Sequence, residues 1–501
     1  MIKFEEISPS DFFYQHRELA GFSNPARALY SAVRELVENS LDACDGYGIL
    51  PEIFVRLTVA NPTPSDVKEY ELYIRDNGIG IPPDKLPKAM GKIFYGSKFT
   101  LRQSRGTFGM GGTMSVLYGQ ITTNKPLRIW SSIGNGEAHY FELMIDIAKN
   151  KPIILKHRKV VSDWRGTALK LNLIGDYTRS YQKIHDYFRR LALFTPYADI
   201  IFEGPEGEVL TFKRVIDVMP PPPKDVLPHP KGVDIELLRR IAKKTKSKTL
   251  LGMLTSSFQR LGKSTALKLI SRAGLDPAKK PKKLAMEDFV KLAEAMKNFD
   301  KFLPPDPSCL SPLGEDLIKE GLKRELNPQF VSAITRKPSS YEGYPFIVEV
   351  AVASDRNPGI KILRYANRIP LLYDEKSDVV WKILNEEIDL KRYKIKEDEP
   401  LIILTHICST KVPFKTVGKE FVADIPEVER EFKLALQKAL REYSLYLSKK
   451  EKIETQKKKK SIYEQYLPMI AKFSALLAET KVPDVKPLID YFKVNEIETQ
   501  G

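Results

Sequence analysis

Three side chains that suit metal and water chemistry, Glu35, Asn39 and Asp42, fall at helical spacing within the stretch RELVENSLDA. Residues at i, i+4 and i+7 share one stripe of a helix, so the two carboxylates and the amide would lie side by side. Asn39 offers a hard oxygen ligand of the kind that Mg²⁺ prefers, and Glu35 can orient or deprotonate an attacking water. Taken alone, such a stripe is more often a solvated helix face.

A second motif, DNGIG at residues 76–80, follows the alternating strand pattern YELYIR. The Asp76 carboxylate, placed at a strand end, can accept a hydrogen bond from an exocyclic amine. The glycines let the backbone approach a flat ring closely. Alone, this motif predicts only a turn.

The third motif, GTFGMGG at residues 106–112, precedes the helix-compatible stretch TMSVLYG. Glycines just before a helix N-terminus expose backbone N–H groups to phosphate oxygens, and the helix dipole adds to the attraction. Flanking side chains could reach the same anion, although a single glycine-rich run more often means a flexible loop. The residues predicted to contact phosphate are Ser97, Lys98, Arg105, Gly106, Thr107, Phe108, Gly109, Met110, Gly111, Gly112 and Thr113.

The fourth motif is Trp164-Arg-Gly-Thr167, which opens the strand pattern ALKLNL. The order and spacing of the four motifs resemble the nucleotide boxes of the GHKL superfamily, which includes gyrase-type topoisomerases, ninety-kilodalton heat-shock chaperones, MutL and histidine kinases. The resemblance implies an ATP site in a Bergerat α/β sandwich, with ATP and Mg²⁺ as cofactors.

The same resemblance implies a role for individual residues. Glu35 corresponds to the general base and Asn39 to the magnesium ligand, whereas Asp76 corresponds to the residue that reads adenine, with Thr167 on the same side. The remaining members of the binding set are Asp42, Gly80 and the phosphate-contacting residues given above.

The elements that must position these residues can be predicted from local patterns. Residues 24–45 predict a helix, because Asn24 can cap it and Pro25 suits its first turn. A strand is predicted at 70–75, and the basic, glycine-rich stretch 91–112 is typical of a mobile loop. The proline-rich stretch 219–232 predicts a linker.

The rest of the chain divides by composition. Residues 233–304 predict an all-helical segment, 326–425 mix strands with helices, and a long helix is predicted from about residue 427. The predicted domains are 1–228 (ATPase), 229–305 (helical insert), 306–462 (α/β domain with a long exit helix) and 463–501 (C-terminal helical segment).

The chain is basic, with a net charge of +16 over 501 residues. Residues 231–301 hold 18 Lys+Arg against 7 Asp+Glu and so carry +11 of this charge, which favours a polyanionic partner. The three cysteines match no disulfide or zinc spacing, no apolar run reaches membrane-spanning length, and the first residues lack a signal pattern. We therefore expect a cytoplasmic protein without a membrane partner.

The stretch LTSSFQRLGKSTALKLISRAGLDPAKKPKKL resembles a helix–two-turn–helix module. A GHKL domain followed by this module and an α/β transducer with a long helix is the arrangement of the topoisomerase VI B subunits. RELVENSLDA, DNGIGIPP, SAITRKPSSYEGYPFIVEV and LRYANRIPLLYDEKSDVVWK resemble that family as well. The fold class expected from the resemblance is multidomain α+β, with a Bergerat sandwich, an all-α insert and an α/β transducer.

The resemblance also implies partners and a mechanism. Of three candidate lysines, Lys411, Lys415 and Lys419, the element Gly418-Lys419-Glu420 best matches the family's switch lysine, which reaches the ATP γ-phosphate. The sequence contains no D-x-D pair for a nuclease metal site, so the separate topoisomerase VI A subunit is expected to cut DNA. The implied assembly is an A2B2 heterotetramer that dimerises through its B subunits when ATP binds, acts on duplex DNA and is nucleoid-associated.

One stretch departs from the family pattern, because Leu390-Lys-Arg-Tyr393 lacks the Trp of a Trp-Lys-x-Tyr element proposed to touch DNA. Stacking or packing by that ring is therefore not expected here. The alternative reading is another GHKL ATP-driven clamp, of the mismatch-repair or chaperone type.

Overall fold

The computed structural model describes residues 7–96, 101–106, 109–415 and 419–491, and within them the chain forms two β-sheets covered by helices. The helices are α1 (Pro9–Gln15), α2 (Pro25–Asp45), α3 (Leu86–Gly91), α4 (Gly111–Thr123), α5 (Tyr177–Phe194), α6 (Ile235–Lys244), α7 (Leu250–Ser257), α8 (Lys263–Arg272), α9 (Met286–Lys297), α10 (Glu315–Leu326), α11 (Val379–Lys382), α12 (Pro426–Leu477) and α13 (Lys486–Tyr491). The strands are β1 (Glu52–Asn61), β2 (Val67–Arg75), β3 (Leu127–Ile133), β4 (Glu137–Asp146), β5 (Lys151–Val161), β6 (Arg165–Asp176), β7 (Asp199–Glu203), β8 (Val209–Phe212), β9 (Val331–Thr335), β10 (Ser339–Tyr341), β11 (Tyr344–Ser354), β12 (Ile360–Ala366), β13 (Ile369–Pro370) and β14 (Leu401–Ser409).

The first sheet has the order β5-β4-β3-β6-β2-β1-β7-β8, in which β1 and β7 are parallel and the other neighbours antiparallel. Helices α2, α4 and α5 pack together and α2 and α4 lie against β6. Leu29, Val33 and Leu36 of α2 are buried in the same core as Leu72 and Ile74 of β2. This arrangement is the predicted α/β sandwich.

The local predictions for this sheet are confirmed. The Asn24 side chain accepts a hydrogen bond from the backbone N–H of Arg27, and Pro25 opens α2. The predicted strand at 70–75 is the second half of β2, where buried and partly exposed residues alternate. The second half of α2 and the residue that follows β2 carry the carboxylates of the candidate site.

The helical insert forms its own small core. Helices α6 to α9 enclose Leu238, Leu254, Leu269 and Leu292, all fully buried. Their amphipathic spacing accounts for the predicted all-helical segment, which is confirmed.

The second sheet has the order β10-β11-β14-β12-β13, with β9 also paired to β11. Strands β12 and β14 are parallel, and the remaining pairs are antiparallel. β14 is buried along its whole length and β11 along all but its first residue. This burial explains why the sequences of both strands are mostly apolar and do not alternate with polar residues. The predicted α/β transducer is confirmed.

The long helix α12 packs its first turns against β11 and then runs beyond the sheet. Its 52 residues span about 78 Å at 1.5 Å per residue. The predicted long helix is thus confirmed, and it continues without a break through residue 462, where the sequence predicts a boundary. The boundaries between the four predicted domains stay predictions.

Across the described ranges, no helix has both the length and the apolar run needed to cross a bilayer.

Candidate nucleotide-binding site

A cavity of about 650 Å³ lies between α2, the loop after β2, the start of α4 and the transducer. A volume of this size suits a small-molecule ligand. The predicted site residues that line it are Glu35, Asn39, Asp42, Asp76, Gly80, Arg105, Gly106, Gly109, Met110, Gly111, Gly112, Thr113, Thr167 and Lys419. Ser97, Lys98, Thr107 and Phe108 lie outside the described residues.

The N-terminus of α4 meets the predicted catalytic stripe of α2. A Cβ atom added at Gly111 would overlap the Glu35 carboxylate, and one at Gly112 would lie 2.8 Å from the Asn39 amide nitrogen. Glycine is therefore required for this approach, which brings the N–H groups of the first turn of a 13-residue helix, which have no acceptor within the helix, beside Glu35 and Asn39. Such a helix end is a suitable site for phosphate.

Asp76 is buried and held in place by backbone donors. Its Oδ1 accepts hydrogen bonds from the N–H groups of Gly78 and Thr167, each at 3.0 Å. Burial raises the pKa of this carboxyl to about 6, although those donors oppose the rise. Gly80 has φ +70°, and a Cβ there would overlap the carbonyl of Ser132 in β3, so this close approach of the loop to β3 requires glycine.

Arg34 lies between two carboxylates on α2. One guanidinium nitrogen donates to Glu35 at 2.8 Å, and its Nε lies 3.6 Å from Glu38. Burial raises the pKa of Glu38 to about 7, and the neighbouring Glu35 charge adds to the rise. A second glutamate, itself buried, thus lies one turn beyond Glu35.

Lys419 reaches the cavity from the transducer. Its Nζ donates to the carbonyl of Arg105 at 2.9 Å and lies 4.0 Å from Glu38. The next residue, Glu420, pairs with Arg27 in the first turn of α2. The segment that carries Lys419 therefore contacts the ATPase domain through two consecutive residues.

The other two candidate lysines point elsewhere. Lys411 Nζ stands 4.7 Å from the centre of the Tyr344 ring, and Lys415 is exposed. Of the three lysines considered from the sequence, Lys419 alone lines the cavity.

We define residues 101–106 as the lid segment. The sequence predicts a mobile loop here, yet Gln103 and Arg105 are buried. Arg105 donates to Asp42 through its backbone N–H and its side chain, both at 3.2 Å, and pairs with Asp45 at 2.7 Å. Although burial opposes the charge, these carboxylates raise the pKa of Arg105. Asp42 thus anchors the lid segment, and its partner Arg105 has its charge balanced within the protein.

Sequence reasoning missed five residues of this region. Glu38 and Arg34 lie inside the quoted motif, where their i, i+4 spacing was the available signal. Asp45, Asn367 and Arg368 line the same cavity, but only the fold brings the last two to the lid segment.

The residues present fit a magnesium nucleotide. A helix N-terminus built on glycines lies beside Asn39, whose amide carries an oxygen of the kind that Mg²⁺ prefers, and the Lys419 ammonium lines the same cavity. A buried carboxylate stands beside a glycine loop, as an adenine pocket requires.

Comparison with known proteins decides the family. The type 2 DNA topoisomerase 6 B subunit of Sulfurisphaera tokodaii is 47% identical over 483 residues, which cover 95% of this chain and 90% of that protein. The corresponding B subunit of Metallosphaera sedula is 45% identical over 496 residues, covering 97% and 93%. The chain belongs to the family of type 2 DNA topoisomerase 6 B subunits.

Two parts of the chain also match family models. Residues 24–146 match "Histidine kinase-, DNA gyrase B-, and HSP90-like ATPase", and residues 305–459 match "Topoisomerase VI B subunit, transducer". The first range contains the nucleotide motifs up to α4, and the second contains Lys419. These matches do not favour the mismatch-repair or chaperone alternative.

Proposed function

We propose that this chain binds and hydrolyses ATP as the B subunit of a type IIB DNA topoisomerase, which relaxes and decatenates DNA through a break made by the separate A subunit. The observation that carries the proposal is the position of Lys419. A transducer side chain enters the nucleotide cavity, so occupancy of the cavity and the position of the transducer can influence one another.

The family resemblance and the lining of the cavity support a role for each side chain. Glu35 accepts the proton of the attacking water, Asp76 accepts a hydrogen bond from the adenine amine, and the N–H groups at the start of α4 bind phosphate oxygens. Asn39 would hold Mg²⁺, which supplies charge neutralisation of the phosphates when bound. Lys419 exchanges the carbonyl of Arg105 for the γ-phosphate and so links hydrolysis to the transducer.

Duplex DNA is the proposed partner of the basic helical insert. Lys280, Lys282 and Lys283 are exposed, next to one another, and have no acidic partner among the described ion pairs. Lys279 differs, because it pairs with Asp288 at 2.7 Å. The three exposed lysines are suited to neutralising phosphates without reading bases.

The distal part of α12 is the proposed contact with the A subunit. Beyond the transducer it exposes an apolar face whose members are three or four residues apart, as in a helix-packing seam. These residues are Ile462, Tyr466, Met469, Ile470, Phe473, Leu476 and Leu477. With a second copy of each chain the assembly is an A2B2 heterotetramer, and its work on DNA places it with the nucleoid in the cytoplasm.

Sedimentation of the purified chain with a non-hydrolysable ATP analogue tests the proposal. We expect ATP-dependent dimers in the wild type and a weakened response in Lys419→Ala, whereas the control Lys415→Ala should behave as wild type because Lys415 is exposed and lies outside the cavity. Absence of analogue binding by the wild type would rule the proposal out, and equal responses of the two variants would remove Lys419 from its role.

A further inference from the structure

We propose that a turn of the transducer formed by Asn367 and Arg368 holds the lid segment in place over the nucleotide site. It is a second link between transducer and site, separate from Lys419. The inference rests on the proposed ATP function, since it concerns how that site is controlled.

The Asn367 side chain connects the transducer sheet to the lid segment. Its Nδ2 donates to the carbonyl of Ser104 at 3.1 Å and to that of Ser409 at 2.9 Å, while its Oδ1 accepts from the N–H of Ser409 at 2.9 Å. The residue follows β12 with φ +46°, a conformation that Asn tolerates. One part of the amide is therefore fixed to the end of β14, and its remaining hydrogen bond reaches the lid.

Arg368 and the lid share one carboxylate. Asp45 Oδ2 accepts from Arg368 at 2.9 Å, from Arg105 at 2.7 Å and from the Tyr197 hydroxyl at 3.1 Å. Asp42 lies 3.2 Å from Arg105, so two guanidinium groups balance two carboxylates, all of them largely buried. If the lid segment moved away, the Arg105 guanidinium would leave this cluster, and Arg368 would balance two carboxylates alone. The negative charge left uncompensated in a buried site is unfavourable.

The turn is braced by the transducer core. The N–H of Arg368 donates to His406 Nε2 at 3.0 Å, so His406 Nδ1 carries the proton that it donates to Glu349 at 2.8 Å. Glu349 also accepts from the N–H groups of Leu313 and Gly314. Burial lowers the pKa of His406, which agrees with this neutral form.

The turn and Lys419 hold neighbouring carbonyls. Asn367 binds that of Ser104, and Lys419 binds that of Arg105. When Lys419 gives up its bond to serve a phosphate, the bond from Asn367 can persist. The turn therefore keeps the lid segment docked while Lys419 changes partner.

Hydrogen–deuterium exchange of the lid amides tests the proposal in the full-length chain, with and without a non-hydrolysable ATP analogue. In Asn367→Asp the donor is replaced by an acceptor facing two carbonyls. We expect the lid amides to exchange faster by a factor on the order of five or more in both states, as for loss of one hydrogen bond. We also expect a raised KM for ATP with a smaller change in kcat, because the residue positions the lid and does not touch the reacting atoms.

The matched control is Asn385→Asp, which makes the same change at an exposed transducer amide bonded only to the carbonyl of Trp381 among the described contacts. Should Asn367→Asp fail to fold, Asn367→Gly accepts the same backbone conformation and removes the donor. Lid exchange equal to that of the control in both states would overturn the inference while leaving the ATP function intact. If the wild type binds no analogue, the proposed function fails with it.

Discussion

At the scale of single residues, Glu35 is placed for proton transfer beside the start of α4. Its carboxylate pairs with Arg34 and lies against Gly111. We predict that Glu35→Gln leaves nucleotide binding largely intact and lowers hydrolysis by a factor on the order of 10² or more, as expected for loss of a general base. Steady-state hydrolysis and calorimetric binding check this, and near-normal turnover would remove Glu35 from the role.

Asp76 gives a prediction on nucleotide affinity. Asp76→Asn replaces a charge-assisted acceptor, so affinity for a non-hydrolysable ATP analogue should fall by about 1.5–3 kcal/mol. Calorimetry measures this directly. Unchanged affinity would count against Asp76 as the adenine-reading residue.

The raised pKa of Asp76, about 6, predicts a pH dependence. The ionised carboxylate is the better acceptor, so wild-type affinity should rise as pH increases through about 6 and then level off. Asp76→Asn should lack this rise in affinity with pH. The pH dependence that remains in the variant comes from titration of the nucleotide phosphates and serves as the correction for the wild type. The effect of Asp76 on folding stability has the opposite pH dependence, because burial favours the neutral carboxyl. The stability that this neutral form contributes is fully present below the unfolded-state pKa of about 4 and is lost as pH rises through about 6.

At the scale of elements, the helical insert predicts salt-dependent DNA binding. Replacing Lys280, Lys282 and Lys283 by Ala should weaken duplex binding equally for all sequences. The slope of log affinity against log salt should become shallower by about 0.9 for each phosphate that is no longer neutralised. Lys279 is left in place because it pairs with Asp288.

The control variant removes the same number of positive charges from α12, by replacing Lys457, Lys458 and Lys459 with Ala. DNA-free ATP hydrolysis should be unaffected in both variants, because these lysines lie outside the cavity. If the insert variant keeps the wild-type salt slope, its lysines serve another purpose.

The apolar face of α12 predicts a partner contact. Phe473→Asp with Leu477→Asp should weaken, about ten-fold or more, the capture of the A subunit, since both side chains are exposed and a charge is unfavourable in an apolar interface. Leu445→Asp makes the same change on the same helix nearer the transducer and should bind as wild type. Equal affinities measured by surface plasmon resonance for all three proteins would contradict this assignment.

Elements were predictable from the sequence where their signals are local. The cap at Asn24, the alternation in β2 and the glycines before α4 each act within a few residues. The docking of the lid segment was not predictable, because its partner Asn367 lies more than 260 positions away along the chain. A glycine-rich, basic stretch reads as a mobile loop until the fold supplies the buried carboxylates that neutralise it.

At the scale of the whole molecule, the family resemblance predicted the fold class, and the motifs predicted which part of the chain forms the cavity. Helical spacing predicted that Glu35, Asn39 and Asp42 share one face, and all three line the cavity, whereas Asp76 was predicted from the turn motif at the end of its strand. The choice of Lys419 among three lysines depended on the resemblance, since a lysine on a loop carries no local signal of its partner. Glu38 was passed over because an acidic side chain on a helix usually faces water, whereas here Arg34 and Lys419 allow its burial.

The central claim is that ATP used by this chain drives DNA strand passage together with the DNA-cleaving A subunit. The most direct measurement is relaxation of supercoiled plasmid by the purified chain and its cleaving partner, each on its own and both together, with and without ATP. We predict relaxation only with both chains and ATP, and loss of sustained relaxation with Glu35→Gln. Relaxation by the cleaving partner on its own, or relaxation that proceeds equally without ATP, would contradict the account.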